Sequence, residues 1–193
     1  AGINPDKWLT RNSNILPHGI TEAQLILSQL EKGTGGPQTS SCGRVLDAIS
    51  ALLGICAVRS YEGEPAMKLE STALGGRDTL QLKPQISNGV LETSGLIRVL
   101  YENFGRVSVA DLAYSAHAYL ARGLAALAIE QAQAQGTKNV GFTGGAACNQ
   151  ILAETIRESV EAAGLKFYVH EAIPAGDGGV SFGQAIVASN SEF

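Results

Sequence analysis

Two short loops near the end of the sequence combine paired glycines with polar side chains that could hold a ligand. Residues 143–145 (TGG) end the apolar run NVGFT and are soon followed by Asn149, whereas residues 177–179 (DGG) lie within EAIPAGDGG. Glycine lets a ligand approach the backbone closely, because no Cβ stands in the way. We therefore predict that Gly144 and Gly145 clear room for a ligand and that Asn149 hydrogen-bonds it.

The elements around these loops should bring them to one place. Residues 138–143 are predicted to be a buried strand, residues 148–163 a helix and residues 166–170 a second strand. A strand–helix–strand unit of this length has parallel strands and a right-handed crossover, so both following loops emerge at one edge of the sheet. Ligands of open α/β sheets bind at that edge, and the N–H groups at a helix start favour polar or anionic groups.

Each of these residues also has a purely structural interpretation, and both interpretations stay open at this point. The paired glycines could serve only a sharp turn, and Asn149 and Asp177 could be helix caps. Asp47 could be a solvated helix residue. The pattern is neither GxGxxG nor a P-loop. The functional interpretation is favoured because the two loops coincide at one edge.

The rest of the chain is predicted to be mainly helical. Residues 1–20, with Pro5 and Pro17 and no period, are interpreted as an irregular arm. Helices are expected over the following ranges: 21–31 (capped by Thr21), part of 39–55 with one buried stripe, 64–73, 95–104, and a long helix from Ser108 to a cap at Gly136. A short helix should begin at Val180. LQLKP and GVLET, within residues 78–92, alternate weakly and are expected to be short antiparallel strands.

Composition excludes several classes of protein. The 193 residues are 45% hydrophobic with a formal net charge of −4, and no basic cluster is present. Nucleic acid is therefore not an expected partner. No apolar run approaches the ~20 residues of a membrane span. Three cysteines without a CxxC pair indicate a reduced, cytoplasmic protein without a zinc site.

Four motifs, in order and spacing, resemble the carboxy-terminal part of the HypF family, the carbamoyltransferases of [NiFe]-hydrogenase maturation. They are TSSCGRVLDAISALLGI (39–55), YEGEPAMKLE (61–70), FTGGAACNQILAE (142–154) and PAGDGGVSFGQA (174–185). The resemblance covers roughly residues 21–188. The SSxGRxxD and PxxDGGxxxGQA patterns are the most specific parts of it.

The resemblance implies an α/β fold of the actin, Hsp70 and sugar-kinase type (RNase H-like), with a mixed sheet and packed helices. Residues 21–193 would be the second of its two lobes, after the arm of residues 1–20. The zinc cysteines of the family are missing, and so is the HxxxH pair that supplies two metal ligands from the first lobe. His18, His117 and His170 are isolated and do not replace that pair; His117 is interpreted as a packed helix residue.

The resemblance also implies a reaction and its participants. Carbamoyl phosphate and ATP would give carbamoyl-adenylate in another domain of the parent protein. The two-lobed domain would then pass the carbamoyl group to the C-terminal cysteine of the partner HypE. The isolated chain is expected to be inactive. The nucleophile belongs to the partner, so Cys42 and Cys148 are interpreted as small packed thiols.

Site residues follow from the same resemblance. Gly144, Gly145 and Asn149 would face the adenosine, whereas Asp47 and Arg44 would lie near the ribose or phosphate. Asp177 would be the third ligand of a divalent metal, zinc or iron, in the full-length protein. A single carboxylate does not hold such a metal tightly, so we expect Asp177 to be solvent-accessible and this chain alone to bind none.

Two other functions remain open. The chain could be a nucleotide-binding half-domain without chemistry of its own, in a tRNA threonylcarbamoyl-transferase, whose family shares the fold and the Gly-Gly motif. It could also be the ATP lobe of a kinase-type protein. The helix pattern SSCGRVLD ranks the tRNA threonylcarbamoyl-transferase family below the HypF family.

Overall fold

Helices provide most of the regular structure in the computed structural model, which describes residues 5–34, 36 and 39–190. The helices, in chain order, are α1 (Pro5–Arg11), α2 (Gly19–Glu31), α3 (Cys42–Leu52), α4 (Glu64–Ala73), α5 (Ser94–Asn103), α6 (Val109–Ala134), α7 (Gln150–Ala162) and α8 (Val180–Asn190). The strands are β1 (Ile86–Ser87), β2 (Val90–Leu91), β3 (Asn139–Phe142) and β4 (Lys166–Val169). Single 3-10 turns cover Ser13–Ile15, Gly145–Cys148 and Asp177–Gly179.

The long helix α6 is the centre of the packing. Ser108 caps it by accepting a hydrogen bond from the Asp111 N–H at 3.1 Å, and the chain leaves it through Gly136 at φ +66°. Both ends were predicted. Many of its small residues are buried, so that α3, α4, α5 and α7 pack against it. A helix that is apolar on most of its circumference needs neighbours on several sides, which is what α6 has.

The hydrophobic core joins these helices to the sheet. In α3 the predicted stripe is confirmed, since Leu46 and Ile49 are buried and Leu53 follows them into the core. The same cluster contains Leu69 of α4, Leu96 and Leu100 of α5, Leu112 and Leu120 of α6, Leu152 and Val160 of α7, and Val140 and Phe167 of the sheet.

The strand–helix–strand prediction is confirmed. β3 pairs with β4 in parallel, with Val140 opposite Phe167, and α7 connects them. Val140 and Phe167 are the buried residues of their strands, so the register turns them to the core. The two loops after β3 and β4 therefore leave from the same edge.

Residues 77–92 were only partly predicted. β2 lies in GVLET as expected, but its antiparallel partner is Ile86–Ser87, joined by the tight turn Asn88-Gly89, in which both residues have positive φ. LQLKP forms no strand. Backbone N–H groups of this segment instead donate hydrogen bonds to side chains of α6. Asp111 accepts from the Arg77 N–H, Ser115 from the Leu80 N–H and Tyr119 from the Gln85 N–H.

The interpretation of the first twenty residues as irregular is wrong for those that the structure describes. α1 covers Pro5–Arg11, with proline as its first residue and Asp6 in its first turn, both of which favour a helix start. α2 begins at Gly19 rather than at Thr21, because the Glu22 carboxylate accepts the His18 N–H at 3.0 Å. Residues 1–4 of the arm lie outside the described residues.

None of the helices in the described part of the chain combines the length and the apolar character that a membrane crossing requires.

Candidate functional site

The loops after β3 and β4 are joined directly by hydrogen bonding. The Gly144 N–H donates to the Ala175 carbonyl at 2.9 Å, and the Cα of Gly145 faces Gly176 of the second loop. This contact fixes the two loops relative to each other at the carboxyl edge of the sheet. The predicted meeting of the two glycine loops is therefore confirmed.

Gly144 and Gly145 are glycines for different physical reasons. Gly144 has φ +87°, a conformation that side chains rarely adopt, so the turn itself requires a glycine there. Gly145 has no such φ, and a Cβ built on it would meet nothing within 4 Å. The backbone at Gly145 is therefore open on the side where a ligand could approach, and the turn interpretation accounts for Gly144 but not for Gly145.

Asn149 lies behind this turn rather than on its open side. It is 6% exposed, and its Oδ1 caps α7 by accepting the Leu152 N–H at 2.9 Å. Its Nδ2 donates to Nε2 of His117 at 3.1 Å. The cap interpretation is confirmed. The nucleotide contact stays a prediction, and it would use the second N–H of Nδ2 or the second lone pair of Oδ1.

His117 is a packed residue, as predicted. It is fully buried in α6, and its Nδ1 lies 2.8 Å from the Ala113 carbonyl. Burial lowers the pKa of His117, because the interior disfavours the charged imidazolium. A neutral imidazole with one donor and one acceptor matches its two partners.

Helix α3, which carries two further predicted residues, contacts the turn. The contact is with the 3-10 turn Gly145–Cys148, and Ser41 caps α3 by accepting the Arg44 N–H. Arg44 and Asp47, one turn apart, form an ion pair at 2.8 Å. The Arg44 side chain is 48% exposed and that of Asp47 18%. The ion pair is therefore partly exposed, on the helix that contacts the glycine turn.

The cysteines follow the sequence interpretation in one of two cases. Cys42 is partly buried at the start of α3, and burial raises the pKa of its thiol. The interpretation of Cys148 as packed is wrong, because it ends the short 3-10 turn and its side chain is exposed. A single turn covers little of its own surface, and α7 begins beyond it.

Sequence reasoning missed the part that Glu70 plays at the site. Its Oε1 accepts the N–H of Gln150, the first residue of α7, at 2.6 Å. An acidic group at a helix start satisfies a free N–H and opposes the positive end of the helix dipole. The motif YEGEPAMKLE therefore reaches the site through its last residue, a contact across 80 positions that no local pattern reveals.

Thr143 and His170 were also missed as a pair. They directly follow β3 and β4, and Thr143 Oγ1 lies 2.9 Å from Nε2 of His170. Both side chains are exposed. The signal was available, because parallel strands place the residues at their ends side by side.

Asp177 is exposed, as predicted, at the start of the 3-10 turn that leads into α8. Its side chain makes no hydrogen bond to any of the described residues. No group of three or more His, Cys, Asp or Glu side chains that could hold a metal occurs among the described residues. Asp177 could thus supply one ligand only, and the described part of this chain does not by itself fit a transition metal.

Comparison with known proteins identifies relatives over nearly the whole chain. The family model described as "Carbamoyltransferase, Kae1-like Domain, second subdomain" of HypF matches residues 5–184. A protein from Methanocaldococcus jannaschii named "Probable carbamoyltransferase HypF" is 40% identical over 166 residues, which are 86% of this chain and 22% of that protein. The chain thus spans about a fifth of the relative's length.

Solved structures agree with this result. The crystal structure of T. kodakarensis HypF superposes with a TM-score of 0.82 at 43% identity, covering 91% of this chain and 23% of that one. A crystal structure of full-length HypF in a phosphate- and nucleotide-bound form has a TM-score of 0.79 at 24% identity, covering 94% and 24%. The predicted fold class, α/β with packed helices, is confirmed, with the described strands in two separate two-stranded sheets.

Proposed function

The chain belongs to the HypF carbamoyltransferase family, as the second subdomain of the Kae1-like domain, and from this premise we propose that its parent protein transfers a carbamoyl group. In this proposal, other domains of the parent convert carbamoyl phosphate and ATP to carbamoyl-adenylate. The present subdomain helps to hold the adenylate while the carbamoyl group passes to the C-terminal cysteine of a HypE-type maturation protein. The isolated chain transfers nothing, because it is only part of the site.

One observation carries the nucleotide site: the two loops are hydrogen-bonded together beneath an open glycine backbone. The Gly144 N–H bond to Ala175 makes the edge rigid, and the free space at Gly145 admits a flat group to backbone contact. A preformed edge costs little ordering on binding. We assign this surface to the adenosine part of the nucleotide.

The pair on α3 is assigned to the ribose or phosphate. Asp47 can accept hydrogen bonds from both ribose hydroxyls, and Arg44 can approach a phosphate with its guanidinium. Their ion pair lies on the helix that contacts the turn, with Arg44 the more exposed partner. Asn149 holds the start of α7, and we also assign to it a contact with the adenosine.

Asp177 is assigned to a divalent metal, zinc or iron, in the parent protein only. Its exposed carboxylate makes it available, but the further ligands must come from outside the described part of this chain.

Product analysis on the parent protein tests this function. With ATP and carbamoyl phosphate, formation of AMP and pyrophosphate supports adenylation, and mass spectrometry should find a carbamoylated C-terminal cysteine on the HypE-type acceptor. Formation of ADP alone would favour the kinase-type alternative. Nucleotide binding without any product would leave only a binding half-domain. The isolated chain, assayed in parallel, is the control that should give no transfer.

A further inference from the structure

Thr143 and His170 form an exposed pair at the sheet edge where the two loops begin. None of the nucleotide contacts proposed above uses this pair. Thr143 stands immediately before Gly144, and His170 is the first residue after β4. Their side chains lie 2.9 Å apart, and the Thr143 hydroxyl is also 3.4 Å from the Ala175 carbonyl. The pair is therefore tied to the same carbonyl that accepts the Gly144 N–H.

The two contacts of Thr143 together determine where the imidazole proton lies. A hydroxyl has one proton, and the Ala175 carbonyl can only accept. Both contacts are hydrogen bonds only if the Thr143 hydroxyl donates to Ala175 and Nε2–H of His170 donates to Thr143. Neutral His170 then carries its proton on Nε2, and the lone pair on Nδ1 is free. This arrangement is the one by which an orienting partner prepares a histidine to act as a base.

The reaction proposed above needs such a base. The acceptor is a thiol, and only its thiolate is a good nucleophile. We propose that His170 is the general base that removes the proton from the acceptor thiol in carbamoyl transfer. This inference rests on the proposed function.

The step is balanced as follows. Nδ1 of His170 takes the thiol proton and becomes imidazolium, which keeps its Nε2–H bond to Thr143. The sulfur forms a bond to the carbamoyl carbon, and the bond from that carbon to the adenylate phosphate oxygen breaks. AMP leaves with that electron pair, and the imidazolium later returns its proton to solvent.

The charged side chains near His170 make no hydrogen bond to its imidazole among the described residues. Glu171 follows it in the chain and Asp177 ends the same loop; both are exposed, and neither is hydrogen-bonded to the imidazole among the described residues. Across the sheet, the side chain that faces His170 is the neutral Thr143. An imidazolium formed there would thus lie on a loop that carries carboxylates and no lysine or arginine.

The test uses the full-length parent, ATP, radiolabelled carbamoyl phosphate and the HypE-type acceptor protein. The variant His170→Gln keeps an N–H donor for Thr143 but cannot take a proton. We expect pyrophosphate to form in the first turnover at the wild-type rate, because adenylation precedes the transfer step. Transfer to the thiol should fall about 100-fold near pH 7, the usual range for loss of a general base. His18→Gln, at an exposed histidine far along the chain, is the matched control and should leave both rates unchanged.

The pH profile separates a base from a structural residue. The deficit of His170→Gln should shrink as the pH rises past about 8.5, where a thiol ionises without help. Thr143→Val should lower the transfer rate less than His170→Gln does, with the same dependence on pH. Thr143→Ser, which keeps the hydroxyl, should transfer at the wild-type rate. Wild-type transfer by His170→Gln, or a deficit equal at every pH, would overturn the inference. Absence of transfer by the wild-type parent would instead overturn the proposed function.

Discussion

Nδ2 of Asn149 donates a hydrogen bond to Nε2 of His117 across 3.1 Å, in the interior between α7 and α6. The orientation of the amide is fixed, because its Oδ1 accepts from the Leu152 N–H, which can only donate. Nε2 must therefore accept, so the imidazole proton lies on Nδ1 and is donated to the Ala113 carbonyl. A neutral histidine thus holds the residue that caps α7 behind the glycine turn.

Acid should destabilise the fold through His117. Burial lowers the pKa of His117 from its ordinary value of 6.5. Just below pH 6.5, the histidine is therefore protonated in the unfolded chain but still neutral in the folded chain. The free energy of unfolding should then fall as the pH decreases, by up to about 1.4 kcal/mol per pH unit, until the lowered folded pKa is reached. Above pH 6.5 both states are neutral and this contribution vanishes.

Urea unfolding of wild type and His117→Gln between about pH 5 and pH 8 measures the effect. Glutamine keeps a donor and an acceptor but does not titrate, so its profile should lack this slope. The exposed His18 and His170 are present in both proteins and cancel in the difference. Parallel profiles would mean that His117 does not behave as a buried neutral group.

Asn149→Ala should lower the free energy of unfolding by about 1–3 kcal/mol. It removes the cap of α7 and leaves the buried Nε2 of His117 without its donor. Gln150→Ala, one residue along, is the control: its side chain bonds only to Glu154 at the surface, so the change should be small. Equal effects of the two substitutions would argue against the His117–Asn149 bond.

Gly76 and Gly75 form a second matched pair, at the crossing of the chain over α6. A Cβ on Gly76 would stand 2.2 Å from the Ala110 carbonyl oxygen, which is backbone and cannot turn aside. We expect Gly76→Ala to cost about 1–3 kcal/mol or more. A Cβ on Gly75 would meet the Thr72 carbonyl at 3.7 Å, an ordinary contact, so Gly75→Ala should be nearly neutral. Thermal unfolding of both variants would show whether the segment crosses α6 this closely.

Local patterns predicted those elements whose residues carry their own periodicity or caps. The unit β3–α7–β4 followed from an apolar run, an amphipathic stretch and a second run, and α6 from Ser108 and Gly136. The meeting of the two glycine loops then followed from strand direction alone. Motif resemblance identified the family correctly over the matched residues.

Local sequence patterns did not predict the contacts between residues that are distant in the chain. LQLKP alternates like a strand, yet the Leu80 N–H in it donates to Ser115 of α6, and the Gln85 N–H directly after it donates to Tyr119, some 35 positions away. His117 was correctly interpreted as packed, but nothing local shows that its partner is Asn149. Pro5 was taken as a sign of irregular chain, although proline is equally compatible with the first position of a helix.

Asp177→Ala in the parent protein should abolish carbamoyl transfer and spare adenylation. The carboxylate is exposed and caps nothing in the turn that it begins, so its removal should not disturb the fold. Glu171→Ala, on the same loop and also exposed, is the control and should keep both activities. Separate assays of pyrophosphate formation and thiol carbamoylation measure the two steps. Full transfer by the Asp177 variant would remove this residue from the site.

The central claim is that the nucleotide lies on the open backbone at Gly145, and calorimetric titration of the parent variant Gly145→Leu with a non-hydrolysable ATP analogue tests it most directly. A Cβ there meets nothing and φ is unstrained, so the melting temperature should match wild type while binding at this site is lost. Gly144→Ala is the contrasting variant, since its φ of +87° should cost roughly 1–2 kcal/mol of stability. Wild-type affinity in a folded Gly145→Leu protein would contradict the account.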